Sequence, residues 1–257
     1  MALRLSTGLR NYLNEFGSAK QALNNGKIYI YSGTQPALAD DDASGTLLAI
    51  ISKSSGAITE EVQSVGSVAL TGGASGSVNA ITVNSISILP ASVPFNTSLG
   101  QTAIDIAAAI NDNPQNLLFI ASVSTNTVNI TAKLGLGALA NGWVVASTAT
   151  TITKTDSNMA GGVTAVNGLT FGDAASGTLV KNPLETWTGV GLAAGTAGWF
   201  RYEGALADTE ASDTAGAFNR LDGNISTSGA NLNMSSTTVA IGATQTISTF
   251  SLTVPAA

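Results

Sequence analysis

The sequence predicts a mainly β protein: a β-sandwich-like domain with an N-terminal helix, interrupted by a small inserted α+β domain. Three observations lead there. Toward the end of the chain, short apolar-alternating runs recur at roughly 8–12-residue spacing, as sandwich strands do. Helical periodicity appears in only two places. Charge thins out in the middle: Val65 to Val163 hold only Lys133, Lys154, Asp105, Asp112 and Asp156, out of ten basic and sixteen acidic residues in the chain.

Residues 5–25 read as the first helix, with Leu9, Leu13, Phe16 and Leu23 at helical spacing after Leu5. Ser6 or Thr7 caps its start, and Asn24 to Gly26 supply a left-handed end. Gly17 interrupts it at a cost of roughly 1 kcal/mol relative to Ala, so the helix needs tertiary packing. "KIYIYSG" alternates, with Ile28 and Ile30 on one face and Tyr29 and Tyr31 on the other. "TLLAIIS" (Thr46 to Ser52) is an unbroken apolar run of strand length, fit for burial on both faces.

In the middle, "ITVNSISI" reads as a hairpin or bent strand turning at Asn84-Ser85. "SLGQTAIDIAAAINDNP" reads as the second helix, striped by Leu99, Ala103, Ile106 and Ile110, capped by Ser98 and stopped by Pro114. "LFIASVSTNTVNITAK" is a hairpin about Thr125-Asn126. "NGWVVAS" and "TTITK" add two strands.

From Asn167 onward the chain is turn-rich. "TWTGVGLAAGTAGWFRYEG" reads as two strands joined near Gly195, the second closing a hairpin. "FNRLDGNIS" carries a turn signal at Asp222-Gly223. "ANLNMSS" alternates Leu232 and Met234, and Phe250, Leu252 and Val254 share a face of the last strand.

The first 64 residues offer too few elements to complete a sheet alone. The expected organisation is therefore a discontinuous β-rich domain of residues 1–64 plus 164–257, with the α+β module 65–163 inserted in one of its loops. "GGASGSV" (Gly72 to Val78) and "AGGV" (Ala160 to Val163) are the flexible joints such an insertion needs.

Composition excludes several kinds of chemistry. With no cysteine and no histidine, disulfides, thiol catalysis and the usual ligands of zinc, copper and haem are gone, as is the commonest general base. Charged residues are 10% of the chain and the net charge is −6, so no basic patch is available for nucleic acid. No apolar stretch is long enough for a membrane-spanning helix, and "MALRLSTGLRNYLNEFG" lacks a signal-peptide core. No nucleophile elbow, Ser-x-x-Lys or phosphate loop is present. The expectation is no enzyme, no cofactor, no metal and no catalytic residue.

Few residues stand out as candidates. Asp40, Asp41 and Asp42 lack the alternating spacing of a calcium loop and read as a solvated loop. Glu60-Glu61 is a chance pairing of carboxylates. The best recognition cluster is "WFRY", in a chain where aromatics are only 5% of residues. Aromatics beside a planar cation are enriched at interface hot spots. Strand alternation puts Trp199 and Arg201 on one face and Phe200 and Tyr202 on the other, so one face packs the core while the other meets solvent, sugar or another subunit. Trp199, Arg201, Tyr202 and, in the middle segment, Trp143 are the candidate interface or ligand contacts.

Several blocks carry a resemblance: "RLSTGLRNYL", "KIYIYSGTQPALAD", "GTLLAIIS", "NGLTFGDAASGTLVKN", "TWTGVGLAAGTAGWFRYEG", "RLDGNISTSGANLNMSST" and "ISTFSLTVPA". In these the chain resembles a family of tailed-phage and prophage virion structural proteins, and its middle is similar to a small module that recurs in phage tail and structural proteins. The resemblance carries over no catalytic residues. It implies a non-enzymatic virion component, assembled in the host bacterial cytoplasm, whose partners are other phage virion proteins. The low charge and long neutral β surface lead us to expect a homo-oligomer, with a trimer as the first guess. The alternative is a carbohydrate- or receptor-binding adhesin module that contacts a host-surface glycan.

Overall fold

The computed structural model describes residues 3–253. In chain order, residues 3–61 form β1 (Arg4–Leu5), α1 (Thr7–Glu15), α2 (Ala19–Leu23), β2 (Lys27–Ser32) and β3 (Leu47–Lys53). Residues 62–164 form β4 (Val65–Gly72), β5 (Ser77–Val83), β6 (Ile86–Ser87), β7 (Val93–Pro94), α3 (Leu99–Asn111), β8 (Phe119–Ser124), β9 (Thr127–Ala132), β10 (Val145–Thr150) and β11 (Thr153–Ala160). Residues 165–253 form β12 (Thr178–Val180), β13 (Trp187–Val190), β14 (Gly195–Glu203), β15 (Arg220–Ser226), β16 (Leu232–Asn233), β17 (Thr238–Val239), β18 (Thr244–Ile247) and β19 (Ser251–Thr253). The protein is mainly β, with several antiparallel sheets in a sandwich-like arrangement. Among the described residues, no helix is long and apolar enough to cross a membrane.

Two compact units divide the chain, one of residues 62–164 and one that combines 3–61 with 165–253. In the first, β10-β5-β6 with β7 forms one small sheet and β11-β4-β9-β8 another. The apolar stripe of α3 (Ala103, Ile106, Ala107, Ile110) is buried with Val68, Ile81, Val128 and Ile130 from these sheets. Local chemistry fixes each piece. The Ser98 side chain accepts from Gln101 N at 3.1 Å at the start of α3. Asn84 and Ser85 take positive φ of 50° and 67° at the β5–β6 turn, as does Thr125 at 56° between β8 and β9.

In the discontinuous unit, one sheet of nine strands runs β1-β15-β14-β2-β3-β13-β18, with β16 beside β15 and β17 beside β14. β12 and β19 form a separate pair. Ser6 ties the two ends of the sequence together. Its hydroxyl donates to Phe218 O at 2.7 Å, and accepts from Arg220 N at 2.9 Å and from Leu9 N at 3.1 Å as the cap of α1.

Three expectations are corrected here. The first helix is two helices, because the chain is extended at Ser18 (φ −94°, ψ 162°) and its side chain caps α2 by accepting from Gln21 N at 3.2 Å. Gly17 before it already weakens a continuous helix. Leu13, within α1, stays at the surface rather than joining the buried stripe. Second, β13 and β14 are not a hairpin: β2 and β3 lie between them in the sheet. Residues 191–194 cross the end of these strands, where Leu192 N donates to Leu48 O at 2.7 Å. Third, Asp222-Gly223 is not a turn but the middle of β15, placed there by two long-range contacts. Asp222 pairs with Arg201, and a Cβ on Gly223 would sit 2.6 Å from the Phe200 ring. Val254 lies outside the described residues, while Phe250 and Leu252 are buried.

Candidate functional site

The WFRY strand sits at the centre of the nine-stranded sheet. β14 pairs with β2 on one side (Trp199↔Tyr31, Phe200↔Ile30, Arg201↔Tyr29, Tyr202↔Ile28) and with β15 on the other (Arg201↔Asp222, Tyr202↔Leu221). Alternation divides the four residues between two faces. Phe200 and Tyr202 enter an aromatic cluster with Phe171, Trp187 and Phe250, with ring centroids 5.6–6.2 Å apart for Phe171, Trp187 and Tyr202.

The opposite face is not free. Trp199 stacks on Tyr31 with centroids 4.6 Å apart, and its Nε1 donates to Ser44 O at 3.1 Å. Arg201 donates from Nε and Nη2 to the two Asp222 oxygens at 2.9 and 2.8 Å, and from Nη2 to Asp41 O at 3.1 Å. Its Nη1 lies 3.5 Å from Glu210 Oε2, and its guanidinium carbon 5.6 Å from the Trp199 ring centre. Segments 33–46 and 204–219 cover this face. Trp199, Arg201 and Tyr202 are each 0% exposed, which corrects their assignment as interface or ligand contacts: no partner reaches them while the sheet is closed. Trp143 belongs to the other unit, half-buried against its core with its ring edge-on to Phe119 at 6.2 Å. The candidates are thus divided between two units, each packed against its own unit's interior.

The buried charges behave as a structural network. Burial pushes the Asp222 carboxyl up to about 6, against the pull of the Arg201 bonds. Arg201 moves up as well: burial opposes its charge, and Asp222 outweighs burial. Next to them, Arg220 donates from Nε to Asp208 Oδ2 at 2.6 Å and from Nη2 to Ala211 O at 2.7 Å. The triple-aspartate segment is part of the same cover, a correction to its reading as a solvated loop. Asp40 accepts from Thr7 N at 2.9 Å and Thr7 Oγ1 at 2.8 Å, at the positive end of α1. Asp42 accepts from Ser212 N.

Accessible chemistry lies elsewhere, in a groove of about 330 Å³ along β2, β3 and β13. Lys27, Tyr29, Ile50 and Ser52 form its floor, with Ile58, Glu60, Val190 and Leu192 around it. The floor residues share one sheet face, because Tyr29 pairs with Ile50 and strand side chains alternate. Lys27 bonds to Glu60 and sits 5.3 Å from the Tyr29 ring centre. Burial alone would lower the Lys27 ammonium, yet the Glu60 bond and Tyr29 hold it above its ordinary value. The Tyr29 hydroxyl is raised by burial, with Lys27 opposing. The alternation of "KIYIYS" already placed Tyr29 opposite the core-facing Ile28 and Ile30. What the sequence lacked was any signal that Val190 and Leu192 stand beside it. A second groove of about 470 Å³ mixes amides and hydroxyls (Asn231, Asn233, Ser248, Thr249) with apolar residues such as Val180 and Phe250.

Compared with known proteins, the chain matches no family model and no curated sequence.

Proposed function

We propose that this protein is a non-enzymatic structural component of a tailed bacteriophage particle, acting by self-assembly and by binding other virion proteins. The sequence resemblance supplies the phage assignment. The observation that supports assembly is the apolar rim of the β2–β3–β13 groove. Val190 is 45% exposed and Leu192 53%, and Ile241, 72% exposed, lies alongside because Gly242 N donates to Gly191 O at 2.8 Å. Apolar side chains gathered on a surface with few charges favour contact with another protein. In contrast, three of the ten cationic side chains are buried in internal pairs: Lys27 with Glu60, Arg201 with Asp222, Arg220 with Asp208.

The test has two parts. Light scattering at micromolar concentration is expected to show a species larger than the monomer that Leu192→Asp and Ile241→Asp dissociate. Mass spectrometry of separated heads and tails is expected to detect the chain in one of them. A strictly monomeric protein missing from purified particles refutes the proposal. The carbohydrate-binding alternative draws on the same groove, where the ring of Tyr29 stands among Ser52, Ser55, Lys27 and Glu60. It calls for glycan-array binding that Tyr29→Ala removes.

A further inference from the structure

Near the end of β14 the charges do not balance. The ion-paired chain through this part of the sheet contains Lys27, Arg201 and Arg220, against Glu60, Glu203, Asp208, Glu210 and Asp222. Three cations face five carboxylates. The deficit is concentrated at one point. Glu203, Asp208 and Glu210 each offer a carboxylate oxygen, and these three oxygens lie within 4.8 Å of one another.

A second observation concerns Glu203 itself. Its residue is 1% exposed, yet neither of its oxygens accepts a hydrogen bond. Its nearest cation is Lys27, at 3.4 Å from Oε2, and that ammonium is bonded to Glu60. Glu210 Oε1 is likewise buried without a hydrogen-bond partner, while its Oε2 accepts from the Tyr31 hydroxyl at 2.9 Å. An ionised carboxylate buried with so little compensation is strongly disfavoured unless a cation joins it. Third, a small, partly open space of about 10 Å³ lies against Glu203 and Asp208, with Leu206, Phe218 and Asn219 also lining it. That is room for one water-sized occupant.

We propose that Glu203, Asp208 and Glu210 bind one calcium ion. The absence of histidine and cysteine excludes zinc-type ligation but leaves an all-oxygen site open. Calcium fits better than magnesium because the donors are constrained unequally. Both Asp208 oxygens already accept from Arg220, and one Glu210 oxygen is held by Tyr31. Such a set does not make the near-ideal octahedron that magnesium demands, whereas calcium takes six to eight oxygens in irregular geometry and completes its shell with carbonyls and water. A divalent ion here cancels the two-charge deficit. It also fixes segment 204–219, which covers Arg201.

Terbium luminescence tests this on the full chain after chelator treatment, because Tyr31 and Trp199 are stacked beside Glu210 and would sensitise a bound lanthanide. We expect saturable emission at one ion per chain, displaced by calcium, and a melting temperature that rises with calcium concentration. Glu203→Gln and the more exposed Glu210→Gln should each cost more than about tenfold in calcium affinity. Glu60→Gln, outside the three ligands, should leave the terbium signal in place. Absence of sensitised emission together with no calcium effect on melting overturns the site. So does a Glu203→Gln protein that is more stable than wild type in chelator while the wild type ignores calcium. Equal displacement by magnesium overturns the choice of calcium.

Discussion

In residues 62–164 the core is mostly aliphatic: Ile106 and Ile110 of α3 meet Val68, Ile81, Val128 and Ile130, with Phe119 and Met159 buried in the same cluster. Its buried polar groups are mostly neutral, such as Asn116, whose amide donates to Ile110 O and Phe119 O at 3.1 and 3.0 Å. The discontinuous unit is built on rings and charges instead. One face of β14 enters the cluster of Phe171, Trp187 and Phe250, and the other carries the Arg201–Asp222 pair. The aliphatic core tolerates small errors of position, because dispersion and burial are non-directional. The ion-paired layer does not: a missing partner leaves a charge stranded away from water.

The largest expected effect therefore falls on the charged layer. Asp222→Ala strands Arg201 and should cost about 3–5 kcal/mol in urea denaturation. Replacing both residues by leucine should recover most of that loss, and a double variant as unstable as the single one would show that the pair itself, not the orphaned charge, matters. In the aliphatic unit, Ile106→Ala should cost about 2–5 kcal/mol, read by faster hydrogen exchange of β9 amides. Gly223→Ala should cost about 1–3 kcal/mol, because the added methyl meets the Phe200 ring. Ser98→Ala, the loss of a surface cap, should cost about 1 kcal/mol.

The acid dependence sharpens the contrast within the charged unit. Glu185 is pushed up by burial, but its bonds from Thr170 N–H, Thr170 O–H and the Trp187 indole outweigh this and hold it below its ordinary value. Its contribution is present above the ordinary carboxylate range and is lost as pH falls through its lowered folded value. Asp222 has the opposite sign. Raised by burial to about 6, it contributes most below the ordinary aspartate value and loses that contribution as pH rises through about 6. Denaturation midpoints across a pH series should show Glu185→Gln flattening the acid limb and Asp222→Asn flattening the slope between about 4 and 6.

Where the determinants are local, the sequence could be read. Ser98 as a cap, the Asn84-Ser85 turn and the Thr125-Asn126 hairpin each depend on a few neighbouring residues, and each stands where the pattern puts it. The misreadings share a different cause. Asp222-Gly223 has the composition of a turn, and only Arg201 and Phe200 on the neighbouring strand explain why it is extended. "TGVGLAAG" has the composition of a hairpin loop, but β14 finds its partners in β2, far earlier in the chain. The same holds for the candidate contacts. Alternation correctly divides Trp199 and Arg201 from Phe200 and Tyr202. Nothing in "TQPALADDDASG" shows that this polar segment folds over Arg201, with Asp41 O accepting from it at 3.1 Å.

The hydroxyl of Ser6, bonded to Phe218 and Arg220, has a consequence in time. A ribosome adds about 5–20 residues per second, so β2 and β3 emerge on the order of ten seconds before β14 and β15 exist. During that interval Ile28 and Ile30 have only β3 to lie against, while β4 and β5 of residues 62–164 have all their partners as soon as β11 is made. The middle of the chain is thus the first part able to finish folding. Its beginning has to wait with β2 paired only to β3, and free of aggregation, until nearly the last strands have been made.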